Sequence, residues 1–159
     1  MSENLKAFLG CPCTEIPAGT PTEKIMEVYQ AAKARSVKEG FVPVLISDAD
    51  WEEDAEIPAE HPWEIFAWMP FGGWNECPSD EEQMAAAKYW FEEYGAVPAV
   101  MTRDVLEFDL PAPIPKERAM ELAMEQYTFC SDIVDQGCGS IGMLADSLWQ
   151  SDKWFFWWD

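Results

Sequence analysis

The stretch 125–136 is dense in polar side chains, and those that could do chemistry together are Glu125, Cys130, Asp132, Asp135 and Gln136. On one continuous helix, Glu125, Asp132 and Gln136 would fall near one face, with Cys130 between polar neighbours. Carboxylates grouped in this way can relay protons, hold a hard cation, or cap the next helix and tie down a loop. Capping is the commonest of these uses, and the spacing does not match the loop of an EF-hand. Trp158 and Asp159 complete this candidate polar site. A serine or cysteine hydrolase would need a base and an orienting acid beside its nucleophile. The single histidine, His61, stands between Glu60 and Pro62 in an acidic segment, a poor start for a triad. Phe71-Gly72-Gly73-Trp74 lacks the spacing and the following Lys of a phosphate-cradling loop. Cys11-Pro12-Cys13 has one residue between its thiols where zinc knuckles have two. No metal and no cofactor is expected, and no catalytic residue is assigned.

A second set of residues points to binding. The chain of 159 residues has 30 acids against 10 bases, a formal net charge of −20. Direct nucleic-acid binding is disfavoured, because affinity there comes mostly from Lys and Arg neutralising phosphates. No apolar run approaches the ~18–20 residues of a bilayer span, and Met1 to Lys6 lack the basic start and apolar stretch of a signal peptide. A cytoplasmic protein without membrane contact is expected, and its five cysteines, an odd number, are expected to be mostly reduced. The charge is uneven: residues 1–40 hold five acids and five bases, whereas residues 41–80 hold ten acids and no base. A field of one sign would speed encounter with a basic protein partner. Trp51, Glu52, Glu53, Asp54, Trp63 and Trp74 are the candidate partner-binding residues, aromatic anchors within a charged rim. The plainer alternatives are a solvated acidic loop and tryptophans that belong to the core.

The elements that must position these groups are legible in part. Residues 1–19 read as an irregular lead-in. Thr20, Pro21 and Glu23 have the form of a capped helix start, Ile25, Val28, Tyr29 and Ala32 recur at helical spacing, and Gly40 is placed to end the helix. Phe41 to Ile46 reads as a strand, Asp48 to Glu64 as an acidic loop, and Trp63 to Met69 as a second strand. Ser79 caps a helix that Gly95 stops. Val97 to Leu110 reads as a hairpin turning at Thr102-Arg103-Asp104. Pro115 opens a helix through Cys130, and another runs from Ile141 to Trp149. Trp154-Phe155-Phe156-Trp157-Trp158-Asp159 reads as an aromatic C-terminal strand, because so many large rings left in water would form an apolar patch. The expected fold is α+β: a single domain, with a mixed or antiparallel sheet and helices packed against it. Residues 1–40 form the lead-in and capped helix, packed on the α+β domain of residues 41–159.

Several stretches resemble one bacterial family. They are Pro43-Val44-Leu45-Ile46 with Trp51, Asn75-Glu76-Cys77-Pro78, Trp90 with Tyr94-Gly95-Ala96, and Asp104-Val105-Leu106-Glu107. The most specific are Ala123-Met124-Glu125-Gln126-Tyr127-Thr128-Phe129-Cys130-Ser131-Asp132 and the aromatic terminus. Together they resemble domain of unknown function 4253, over roughly residues 41–159. The resemblance implies a domain and supplies no mechanism. Small acidic bacterial domains suggest, by analogy, an immunity protein that neutralises a toxin. A protein-binding module for a basic partner is therefore the leading expectation, ahead of an enzyme. A small-ligand or enzymatic site around Glu125 to Asp135, and a structural or assembly domain, are the alternatives.

Overall fold

The computed structural model describes residues 10–48, 51–69 and 71–159, with the side chains of residues 48 and 51–53 outside the description. Six strands form one sheet: β1 (Cys13–Ile16), β2 (Val42–Asp48), β3 (Trp51–Ile57), β4 (Val97–Met101), β5 (Val105–Asp109) and β6 (Lys153–Trp157). Their order is β1-β3-β2-β4-β5-β6. Only β2 and β4 run parallel, with Leu45 beside Val100; every other neighbouring pair is antiparallel. A parallel pair needs a long crossover. Here it contains the short helix α2 (Ile65–Trp68) and α3 (Asp80–Tyr94). With α1 (Thr22–Glu39), α4 (Ala119–Phe129) and α5 (Ile141–Leu148), the result is an α+β domain built on a mixed sheet. No helix among the described residues is long and apolar enough to cross a membrane.

Alternation along the strands divides the core. Val42, Val44, Ile46, Ala55, Ile57, Leu106, Phe108, Trp154 and Phe156 are buried in one large cluster with Trp90 of α3, Leu122 of α4 and Leu148 of α5. Ile16, Leu45 and Ala99 point the other way and pack with Tyr29 of α1. Asp109 is buried on this second face. It accepts a hydrogen bond from Lys33 Nζ at 2.6 Å and another from Lys153 Nζ at 3.0 Å, which ties α1 to β6. Burial pushes the Asp109 carboxyl up, but the two ammonium groups outweigh it and hold the pKa below the usual carboxylate value.

The terminal aromatics alternate as a strand should. Trp154, Phe156 and Trp158 are buried, while Phe155 is exposed and Trp157 half-buried. Trp90 is the hub, stacked on Phe156 at 5.5 Å and edge-on to Phe108, Trp154 and Phe129.

Four expectations are corrected. The lead-in of residues 1–19, read as irregular, contains β1, whose four residues pair antiparallel with β3. The acidic loop contains β3, which lies inside the sheet between β1 and β2. Ala55 and Ile57 enter the large core, whereas Asp54 shares a register position with Leu45, and Glu56 bonds Arg35 of α1. Acids stand on the α1 side where an apolar alternation would have marked a strand. Trp63–Met69 is a helical turn, because Pro62 opens a tight turn and Ile65, Phe66 and Met69 are buried at helical spacing. Thr20 makes no capping box: its hydroxyl donates to Pro17 O, and the Lys24 and Ile25 N–H groups donate to Pro21 O. The other helix ends follow their local signals. Ser79 and Glu82 form a reciprocal capping box, and Gly40 and Gly95 close α1 and α3 in left-handed conformations.

Candidate binding site

Helix α3 presents Glu82, Ala86, Tyr89 and Trp90 at helical spacing toward Glu125, Thr128 and Phe129 of α4. The turn Glu76-Cys77-Pro78 closes a cleft of about 600 Å³ between them. Its lining holds acids at positions 76, 82 and 125 and no base. Glu82 is held by Ser79 N–H in the capping box, and Glu125 is held by the side chains of the cleft wall. Its Oε2 accepts from Trp90 Nε1 at 3.3 Å and its Oε1 from the Tyr89 hydroxyl at 3.4 Å. The Glu125 charge, followed by desolvation, pushes the Tyr89 phenol pKa up. Trp90 is anchored in the aromatic core, so the carboxylate is held from below by a side chain packed against four other rings.

The turn is fastened to α3 by a residue that pattern reasoning missed. Gln83 is buried, and its Nε2 donates to Phe71 O and Pro78 O, each at 3.3 Å. Phe71 N–H donates to Asp80 Oδ1 at 3.0 Å. Gly72, at φ +85°, sits so close that a Cβ would lie 2.3 Å from Cys77 Sγ. Burial pushes the Cys77 thiol up to about 11. A helical position i, i+4, i+7 from Gln83 through Ala87 to Trp90 was the available signal that Gln83 faces inward.

The expected polar site splits in two. Helix α4 ends at Phe129, and Cys130 is extended at φ −148°, so the supposed common face of Glu125, Asp132 and Gln136 does not exist. Asp132 instead ties down the last residues: Oδ1 accepts from Gln136 Nε2 at 3.1 Å and Oδ2 from Asp159 N–H at 3.0 Å. Cys130 Sγ donates to Trp157 O at 3.1 Å, and burial pushes its thiol up to about 11. Asp135 accepts from the Tyr127 hydroxyl. Trp158 is core, with its carbonyl 3.5 Å from Trp74 Nε1, and Asn75 Nδ2 donates to Asp159 O at 3.2 Å.

Of the candidate partner-binding residues, the side chains of Trp51, Glu52 and Glu53 lie outside the described residues. Asp54 is only 2% exposed, so it is not a surface contact. Trp63 is half-buried, stacked on His61 at 4.5 Å, with Lys88 Nζ 5.9 Å from its ring centroid. Trp74 is half-buried against Phe71. Among the described residues, no three His, Cys, Asp or Glu side chains converge to hold a metal ion.

The family profile of domain of unknown function 4253 (DUF4253) matches residues 55–159. The chain belongs to this family. The DUF4253 match takes in the cleft, the Asp132 tie and the aromatic strand, and begins after α1 and β2. No curated protein and no solved structure matches the chain.

Proposed function

We propose that this DUF4253 domain is a protein-binding module that receives an arginine or lysine side chain of a basic partner in the Glu125 cleft. The observation that carries this reading is the fixed Glu125 carboxylate between Trp90 and Tyr89, in a cleft whose lining includes Glu76, Glu82 and Phe129 and no base. A planar guanidinium can pair with a carboxylate and lie on an aromatic ring at once. A carboxylate already oriented loses little freedom on binding. The net charge of −20 would speed encounter with such a partner. Inhibition of a basic protein, as by an immunity protein, is the biological role that this chemistry suits. Thiols pushed up to about 11 at Cys77 and Cys130 also favour binding over nucleophilic chemistry.

A small free cation is the second reading, favoured by a cleft volume of about 600 Å³, within the range of small-molecule sites. The test is a pull-down from the host lysate at low salt, with the parent domain and Glu125→Gln as paired baits. A basic protein held by the parent, weakened by the variant and released at high salt supports the proposal. Equal retention by both baits refutes the cleft. An empty result followed by thermal stabilisation with free agmatine, in the parent and not in Glu125→Gln, favours the small cation.

A further inference from the structure

Side-chain contacts between α3 and α4 run on from the Glu125 cleft toward the start of α4, where they end on a guanidinium. Arg118 immediately precedes α4, at the end of the tight turn that follows Pro115. Its Nη1 donates to Glu93 Oε2 at 3.0 Å, and its guanidinium carbon lies 4.8 Å from the centre of the Tyr94 ring. Glu93 and Tyr94 belong to the last turn of α3. One carboxylate and one aromatic ring thus receive one arginine, the combination of charge and stacking that suits a guanidinium.

This pair adjoins the cleft. Glu93 lies one helical turn from Tyr89 on α3. Arg118 precedes Glu125 by two turns, roughly 10 Å along the helix. Among the influences on the Tyr89 phenol, the Glu125 charge is the largest and the Arg118 charge opposes it, so both groups act on one hydroxyl. The cleft and the Glu93–Tyr94 position are therefore two cation positions in one row. The first is open and lined without a base, and the second is filled from within the chain.

The placement of Arg118 is not explained by its own helix, since a cation at a helix start faces the positive end of the dipole. What it gains is on α3, whose last turn contains Glu92 and Glu93 and no base. The side chains of Arg118 and Glu93 are 36% and 39% exposed, so the pair is weak as an isolated contact. Its hold comes from tethering: a group on the same chain acts at an effective concentration that an arginine of a free partner must outcompete. On the basis of the Glu125 reading, we propose that Arg118 sets the selectivity of the cleft by occupying the neighbouring guanidinium position itself, so that a partner inserts one isolated basic side chain and gains little from a second.

The experiment is a calorimetric titration of the full chain with two capped peptides, Arg-Ser-Gly-Ser and Arg-Ser-Gly-Arg, the second of which can set its arginines roughly 10 Å apart when extended. The parent should bind them within about twofold of each other. Arg118→Gln should bind the two-arginine peptide about five- to tenfold more tightly than the one-arginine peptide, and adding Glu93→Gln should remove that preference. Lys24→Gln, an equal change of net charge at an exposed position of α1, should behave as the parent. An Arg118 that only steadies the fold would change the melting temperature and leave the ratio of the two affinities alone. An unchanged ratio in Arg118→Gln, the same gain in Lys24→Gln, or a parent that already prefers two arginines tenfold overturns the role of Arg118, while loss of one-arginine binding in Glu125→Gln upholds the cleft. One-arginine binding undiminished in Glu125→Gln overturns the cleft instead, and no binding of either peptide to the parent or to Arg118→Gln overturns both.

Discussion

Asp54 stands where a sheet-facing helix would ordinarily meet an apolar residue, and its replacement by Asn should stabilise the domain in a pH-dependent way. Its carboxyl is buried on the α1 side of β3, and Oδ1 has no hydrogen-bond partner. Desolvation, then the Glu56 charge, push its pKa up from 3.8 to about 6, with Arg35 pulling weakly the other way. The native state therefore keeps a proton that the unfolded chain releases near pH 4. Below that pH both states are protonated and nothing is lost. As pH rises from 4 through 6 the folded state pays for holding the ionised group, and above about pH 7 the full cost applies. About two pH units at about 1.4 kcal/mol each give an upper value of about 3 kcal/mol. Asp54→Asn should thus gain up to about 3 kcal/mol at pH 7.5, or roughly 6–12 °C in melting temperature for a domain of this size, and almost nothing at pH 4. Urea melts of parent and variant across this range give the difference directly, and titrating groups that do not interact with Asp54 cancel in it. A difference that does not change with pH, or a variant less stable at pH 7.5, would refute the reasoning.

Three further outcomes follow from the packing. Trp158→Ala should cost about 3–5 kcal/mol in a urea melt, as for a buried large aromatic, whereas Trp157→Ala, at a half-buried position on the opposite side of the strand, should cost clearly less. Gly72→Ala should destabilise by about 2–4 kcal/mol, since it combines a positive φ with a clash against Cys77 Sγ; adding Cys77→Ala should recover the clash component, and no recovery would contradict the contact. With thiols pushed up to about 11, Cys77 and Cys130 should resist iodoacetamide at pH 8 in the folded domain and react on unfolding, as read by mass spectrometry; rapid native-state labelling of Cys130 would contradict its burial.

Where a structural decision is made by adjacent residues, the sequence was readable. Ser79 with Glu82, and the glycines at 40 and 95, set helix ends through bonds spanning a few positions. Val105 to Asp109 and the terminal aromatics alternate because one side of each strand meets the large core. Strand β3 was hidden because its second face is covered by α1 through Arg35 with Glu56 and a buried Asp54, so acids stand at positions that usually read as apolar. Pro62 to Met69 was ambiguous because a short aromatic run suits a strand as well as a helical turn. The Glu125 site was half legible. The residue stood out as polar, but its partners Tyr89 and Trp90 lie 36 and 35 positions away, brought near only by the packing of α3 on α4. Gln126 follows Leu122 and Ala123 on the buried stripe of α4, a pattern that marks an inward amide.

The most direct test of the central claim is a calorimetric titration of an arginine-rich peptide into the parent, Glu125→Gln and the charge-matched surface variant Glu27→Gln, whose parent side chain is an exposed partner of Lys24. If the cleft is the receptor, Glu125→Gln weakens binding about tenfold, about 1.4 kcal/mol, while Glu27→Gln stays within about twofold, since an exposed pair contributes little. Equal losses in the two variants would mean that the peptide reads only net charge, and the cleft would not be the binding site.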